Sequence, residues 1–150
     1  MINKISIKTR FGYFSAYENN NKIFKVKFGK TKRTTKSAIL RKFSKNLSNF
    51  LNKRENMRII NYKMQGNKIQ KKIWRELIKI KPGTTKSYGQ IGKKYNLSPR
   101  YIGKICGQNK LLIAVPCHRV IRSDGSLGGF SSTGGLKLKR KLLEFEKNWK

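Results

Sequence analysis

Two runs rich in aromatic and β-branched residues, Phe11–Tyr17 and Lys22–Phe28, surround Asn19-Asn20-Asn21. That order predicts a β-hairpin. From Thr35 to Leu51 the apolar positions Ile39, Phe43, Leu47 and Phe50 fall at helical spacing, with Leu40 and Leu51 widening the stripe. One amphipathic helix is expected there. Met57–Met64 reads as a further strand, after which Gln65-Gly66-Asn67 breaks the pattern. The chain is therefore expected to divide into an N-terminal domain, residues 1–64, and a C-terminal domain, residues 65–150.

The second half is helical and punctuated. Ile69, Ile73, Leu77 and Ile80, with Trp74 and Ile78 beside them, predict an amphipathic helix that Pro82-Gly83 stops. Ser87 to Tyr95 gives a second, short helix, and Asn96-Leu97 a turn. Ser98-Pro99 joins a good N-cap to proline at the first helical position, so a third helix should run to about Gln108. Short helix, turn and capped helix is the plan of a helix-turn-helix, a plan that ordinary helical hairpins share. In the third helix Gly103 and Gly107 lie four apart, one turn beyond Arg100. The bared side suits either close approach to a nucleic acid or close helix–helix packing.

Composition narrows the function classes. The chain has 150 residues, 37 of them Lys or Arg against six acids, a formal net charge of +31. Eight Phe, six Tyr and two Trp spread along the chain argue against a disordered basic tail, and a hydrophobic fraction of 37% suffices for a core. No apolar run approaches the ~18 residues of a membrane span, and the first ten residues lack the apolar stretch of a signal peptide. An intracellular, soluble, cytoplasmic protein is expected, with no membrane partner. The charge points first to a polyanion, because each Lys or Arg set on a phosphate releases a condensed counterion. A general habit of lysine usage is the plainer explanation of the same surplus.

Cys106, Cys117 and His118 are the only Cys or His residues, fewer than the four ligands of a structural zinc site, so no metal is expected. The informative segment is Ile113-Ala114-Val115-Pro116-Cys117-His118-Arg119-Val120-Ile121. Cationic neighbours lower a thiol's pKa, so Cys117 is either a reactive nucleophile or a small buried core residue. In extended backbone His118 would point away from Cys117 unless the chain turns, so a bridging water would have to carry the proton. His118 would then need a carboxylate to orient it. With Leu138, Leu142, Phe145 and Trp149 as the buried stripe of the last helix, a 100° step puts Glu146 about 70° from its centre and Glu144 about 130° away. Glu146, on the shoulder of the core, is the candidate, with Asp124 as fallback, although Asp124-Gly125 reads as a turn.

Pro116-Cys117-His118-Arg119-Val120, with Asn109 before it and Gly128-Gly129-Phe130-Ser131, Gly135-Leu136, Leu142-Leu143 and Glu146 after it, resembles the active-site signature of the O6-alkylguanine-DNA alkyltransferases. Gln70, Ile73-Trp74, Ser87-Tyr88, Ser98-Pro99-Arg100 and Gly103 extend the likeness upstream, which is dense from Gly66 to Glu146 and weaker before it. The resemblance implies an α+β fold: a small ribonuclease-H-like N-terminal α/β domain and a helical C-terminal domain with a winged helix-turn-helix. It implies direct reversal of DNA damage by a monomer without cofactor. The alkyl group of O6-alkylguanine, and as a further candidate O4-alkylthymine, moves irreversibly from a flipped base in double-stranded DNA to the protein's own cysteine, once per molecule.

By matching positions, the resemblance makes Cys117 the alkyl acceptor, His118 its base through water, and Glu146 the group that orients His118. Tyr88 helps rotate the nucleotide and bonds the guanine ring, and Asn109 holds the turn before the active-site segment. Arg100 fills the space of the flipped base, while Gly103 and Ser123 meet the DNA. Val120, Phe130 and Ser131 line the pocket, with the carbonyls of Cys117 and Val120 receiving the guanine amino group. Phe130 stands where a tyrosine is frequent. A different class of function, a sensor that binds alkylated DNA without reacting, would lack the cysteine that Cys117 supplies. A cysteine hydrolase built on Cys117 and His118 explains neither the helix-turn-helix nor Arg100.

Overall fold

In the computed structural model, which describes residues 1–35, 37–58, 60–128 and 134–149, the chain forms two units. The first comprises Met1–Gln65 together with Lys110–Ala114, the second Gly66–Asn109 together with Val115–Lys150. The five residues Lys110–Ala114, placed by sequence in the C-terminal domain, thus belong with the first unit.

The first unit is an antiparallel sheet in the order β1 (Asn3–Thr9), β2 (Gly12–Asn19), β3 (Lys22–Phe28), with helix α1 (Ala38–Lys53). The expected hairpin is β2–β3, turning through Asn20 and Asn21 at φ 51 and 61, a left-handed conformation that asparagine tolerates. β1 was not anticipated. The α1 stripe was: Ile39, Leu40, Phe43, Leu47, Phe50 and Leu51 are buried with Phe14, Ala16, Ile23 and Val26 of the sheet. The described residues of 57–64 do not form the expected strand. Among the described residues they offer one parallel bridge, Tyr62 to Ile23. Beyond it on β3, Val26 N–H donates to Lys110 O at 2.8 Å and Leu112 N–H to Val26 O at 3.3 Å. Ile113 then takes φ 67 while Ala114 N–H bonds Leu112 O, a one-residue turn that is strained for a β-branched side chain.

The second unit carries α2 (Lys68–Ile78), β4 (Lys86–Ser87), α3 (Tyr88–Tyr95), α4 (Pro99–Gly107), a 3-10 turn (Cys117–Arg119), β5 (Val120–Ile121) and α5 (Gly135–Glu146). β4 and β5 pair in parallel, a pairing the sequence did not reveal. No described α-helix has an acid in its first turn. Asn67, Ser87 and Ser98 instead cap α2, α3 and α4 through their side chains, the first two in reciprocal capping boxes with Gln70 and Gln90. α3 ends on left-handed Asn96, and Leu97 N–H returns to Gly92 O at 2.8 Å, closing the turn into α4. The core gathers Ile73, Trp74, Leu77, Ile91, Ile102, Ile105, Val115, Val120, Leu138 and Leu142, and Trp74 Nε1 donates to Ile105 O at 3.0 Å. Among the described residues no helix is long and apolar enough to cross a membrane.

Candidate active site

The thiol stands at the start of a turn rather than in extended chain. Pro116 holds φ −80, ψ 64, and Cys117 N–H donates to Val115 O at 2.8 Å, an inverse γ-turn that runs into the single 3-10 turn Cys117–Arg119. The chain thus turns here, the condition under which neighbouring side chains need not face opposite ways. Asn109 Nδ2 lies 3.3 Å from Cys117 Sγ and 2.9 Å from Val115 O, so one amide, two residues past the end of α4, is fastened to both ends of the turn. Burial pushes the Cys117 thiol up, while the Asn109 hydrogen bond and the Lys139 charge pull it back. A thiol in that balance needs a base.

His118 is fully buried, and its Nε2 lies 2.9 Å from Glu146 Oε2. Arg119 grips the same carboxylate with Nε on Oε1 at 2.9 Å and Nη2 on Oε2 at 2.7 Å, and places Nη1 on Ile80 O at 2.7 Å. Burial is the largest influence on Glu146 and acts upward. The hydrogen bond and charge of His118, and those of Arg119, outweigh it and hold the carboxyl down at about 2. Burial pulls His118 below the usual histidine range against the opposing pull of Glu146. An ionised carboxylate only accepts, so Nε2 carries the hydrogen and Nδ1 of the neutral ring is the basic nitrogen. Nδ1 is buried and has no hydrogen-bond partner among the described residues.

Tyr88, first residue of α3, occupies a slot with glycine at two edges. A Cβ on Gly128, itself at φ 73, would sit 3.1 Å from Tyr88 Cε2 and 3.2 Å from its Oη. One on Gly103 would sit 3.8 Å from Cε1. Lys139 lies over the ring at 5.6 Å and reaches Oη at 3.3 Å, Val120 O at 2.7 Å and Leu127 O at 2.5 Å. Burial pushes the phenol up to about 12. Val120 is buried, its carbonyl engaged by Lys139 and its N–H by Cys117 O, so each of those two carbonyls keeps one lone pair for a ligand. Arg100 is exposed in the first turn of α4, and Ser123 is exposed with its Oγ 3.2 Å from where a Cβ on Gly89 would stand. Phe130 and Ser131 lie outside the described residues.

Asp124, the fallback acid, accepts from Ser126 N–H at 2.9 Å and Ser126 Oγ at 2.7 Å, and is a turn residue away from this network. Cys106 is buried in α4, where burial pushes it up to about 12. Among the described residues no cluster of three or more Cys, His, Asp or Glu could hold a metal ion. Sequence reasoning missed two members of the site. Arg119 was quoted in the motif without a role, although a buried acid beside a lone histidine calls for a second cation. Lys139 sits seven residues before Glu146, two helical turns back on the same flank of the α5 stripe. The angular step that finds one finds the other.

The family model for the 6-O-methylguanine DNA methyltransferase, DNA-binding domain, matches residues 68–148. The methylated-DNA–protein-cysteine methyltransferase of Methanocaldococcus vulcanius is 43% identical over 88 residues, 59% of this chain and 53% of that protein. Its namesake from Mycobacterium tuberculosis is 40% identical over 87 residues, 57% of this chain and 52% of that protein. The chain thus spans about half the length of the curated relatives it matches. Among solved structures, Mycobacterium tuberculosis OGT in complex with DNA superposes with a TM-score of 0.84 at 27% identity, covering 96% of this chain and 92% of that one. The O6-methylguanine methyltransferase of the same organism gives 0.82 at 25% identity, over 100% and 95%.

Proposed function

The chain belongs to the 6-O-methylguanine DNA methyltransferase family through its DNA-binding domain, and from that premise we propose that it repairs alkylated DNA by taking the alkyl group onto Cys117. The observation that carries the reading is the buried Glu146–His118 pair. Its charge state leaves His118 Nδ1 as acceptor at the residue next to the thiol. In the proposed reaction the Cys117 proton passes through water to Nδ1, the thiolate attacks the alkyl carbon, an S–C bond forms and the C–O bond breaks. The electron pair stays with the guanine, which takes up one proton at its ring nitrogen, matching the one the thiol lost. A thioether does not regenerate, so each molecule reacts once.

The remaining assignments belong to the same proposal. α3, the turn at Asn96–Leu97 and α4 act as a helix-turn-helix on the DNA, with the β4–β5 pair and the loop after it as its wing, and the first unit as the ribonuclease-H-like domain. Arg100, projecting from α4, takes the place of the flipped base, and Gly103 and Ser123 let the backbone approach. Asn109 positions the thiol, Tyr88 and Val120 meet the guanine, and Phe130 and Ser131 complete the pocket. The protein is read as a cytoplasmic monomer. The names of its relatives and the DNA bound to the Mycobacterium tuberculosis structure support this reading.

Incubation with duplex DNA containing O6-methylguanine should add one methyl group to the Cys117 peptide, read by mass spectrometry, and Cys117→Ser should abolish the gain while duplex binding survives. Lesion binding by intact wild-type protein without any mass gain would replace this reading with the non-reacting sensor.

A further inference from the structure

Lys139 is the feature of the second unit that the proposed reaction leaves unused. Its side chain is fully buried, yet its Nζ faces two main-chain carbonyls and a phenol. An ammonium group only donates, so in the Lys139–Tyr88 pair the phenol oxygen is the acceptor. The hydroxyl hydrogen of Tyr88 must then turn away from Lys139. Gly128, where a Cβ would stand 3.2 Å from Oη, puts no side chain in its way, and among the described residues Tyr88 Oη has no other hydrogen-bond partner.

We propose that Lys139 is a positioning residue for alkyl transfer: by occupying the acceptor side of Tyr88 Oη it commits the phenol to donate into the base pocket, toward an acceptor atom on the edge of the alkylated base. The proposal rests on the alkyl-transfer reading above. Lys139 keeps its protons throughout and only fixes which partner Tyr88 can address. The donation also ties Val120 O and Leu127 O to α5, so the same ammonium holds the start of the loop whose Gly128 completes the tyrosine slot.

Charge is what the device requires. Burial pulls the Lys139 ammonium down to about 8, with the facing thiols of Cys117 and Cys106 acting upward and Arg122 downward. Among the described residues Tyr88 and His118 are further titratable groups that it meets. A neutral amine can accept from Tyr88, which would let the phenol proton turn inward and leave the pocket without its donor. The committed state therefore belongs to the pH range below about 8.

The test is the single-turnover rate of methyl transfer to Cys117 from a duplex containing O6-methylguanine, measured from pH 6 to 10 on the full chain. Wild-type protein should lose rate above about pH 8. Lys139→Met should transfer at least tenfold more slowly at pH 7 with undiminished duplex binding, and Lys139→Arg should recover part of the loss. Tyr88→Phe, which keeps the ring and its packing, should remove the alkaline fall, and adding Lys139→Met to it should cost little more. An alkaline fall that persists in Tyr88→Phe, or losses in the two variants that multiply, would overturn the proposal even if Lys139→Met proved unable to fold. Wild-type protein that never gains a methyl group would instead overturn the alkyl-transfer reading on which it stands.

Discussion

At the scale of single residues, Glu146 fixes the charge state of everything around it. A carboxylate this buried persists as an anion because Arg119 meets it with two hydrogen bonds and His118 with a third. The folded carboxyl titrates at about 2 against an ordinary 4.5, so its stabilisation is fully present above 4.5 and is lost as pH falls through 2. That difference is worth roughly 3 kcal/mol. Glu146→Gln should therefore lower the urea-unfolding free energy at pH 7 by about that much or more, since it also strands the Arg119 charge, and the gap should close between pH 4.5 and 2. A gap independent of pH would show that the pair is not ionic. On the proposed reaction the rate of Cys117 alkylation should fall in acid as Nδ1 of His118 is protonated, with the limb below the ordinary histidine value because burial disfavours the cation. Glu146 was legible in the sequence because a helix converts spacing into direction. The grip of Arg119 was not, because it depends on a turn at Cys117–Arg119 that the motif's letters do not spell.

Among elements, the α3–α4 pair shows how closely two helices are set by one small residue. A Cβ on Gly92 would lie 2.3 Å from Leu97 O, inside any permissible contact and against backbone rather than a movable side chain. Gly92→Ala should cost roughly 1–3 kcal/mol by forcing the turn open. Ser98→Ala, which removes only the cap on Tyr101 N–H, should cost about 1 kcal/mol. Denaturation midpoints of the two variants compare these directly, and DNA binding should suffer more from the first. Caps and turns of this kind were readable because their grammar is local: Ser98-Pro99, Ser87 with Gln90, and Asn96 act within a few residues. Pairing is not local. β4 meets β5 across more than thirty residues of sequence, and among the described residues the apolar look of Met57–Met64 comes down to the one bridge made by Tyr62.

Over the whole molecule, the charge of +31 is larger than any one interface can use. Part of it is spent on aromatic faces of the first unit, where Lys25 and Lys27 lie 5.6 and 5.7 Å from the Tyr17 ring and Lys30 lies 5.1 Å from that of Tyr13. On the proposed DNA role each phosphate contact contributes about −0.9 to the slope of log affinity against log salt, so a titration should give a slope shallower than about −10. A much steeper slope would mean that lysines far from α3 and α4 also hold DNA. The division of the chain carries its own consequence. Val26 bonds Lys110 and Leu112 through backbone groups, and these residues stand between Asn109 and the strained turn at Ile113, a few positions ahead of the thiol. A fragment starting at Gly66 would carry this segment without the strand that satisfies it. The chain is therefore not separable at residue 65: a cut there strips Lys110 O and Leu112 N–H of the backbone groups that pair them, whatever side chains stand at those positions.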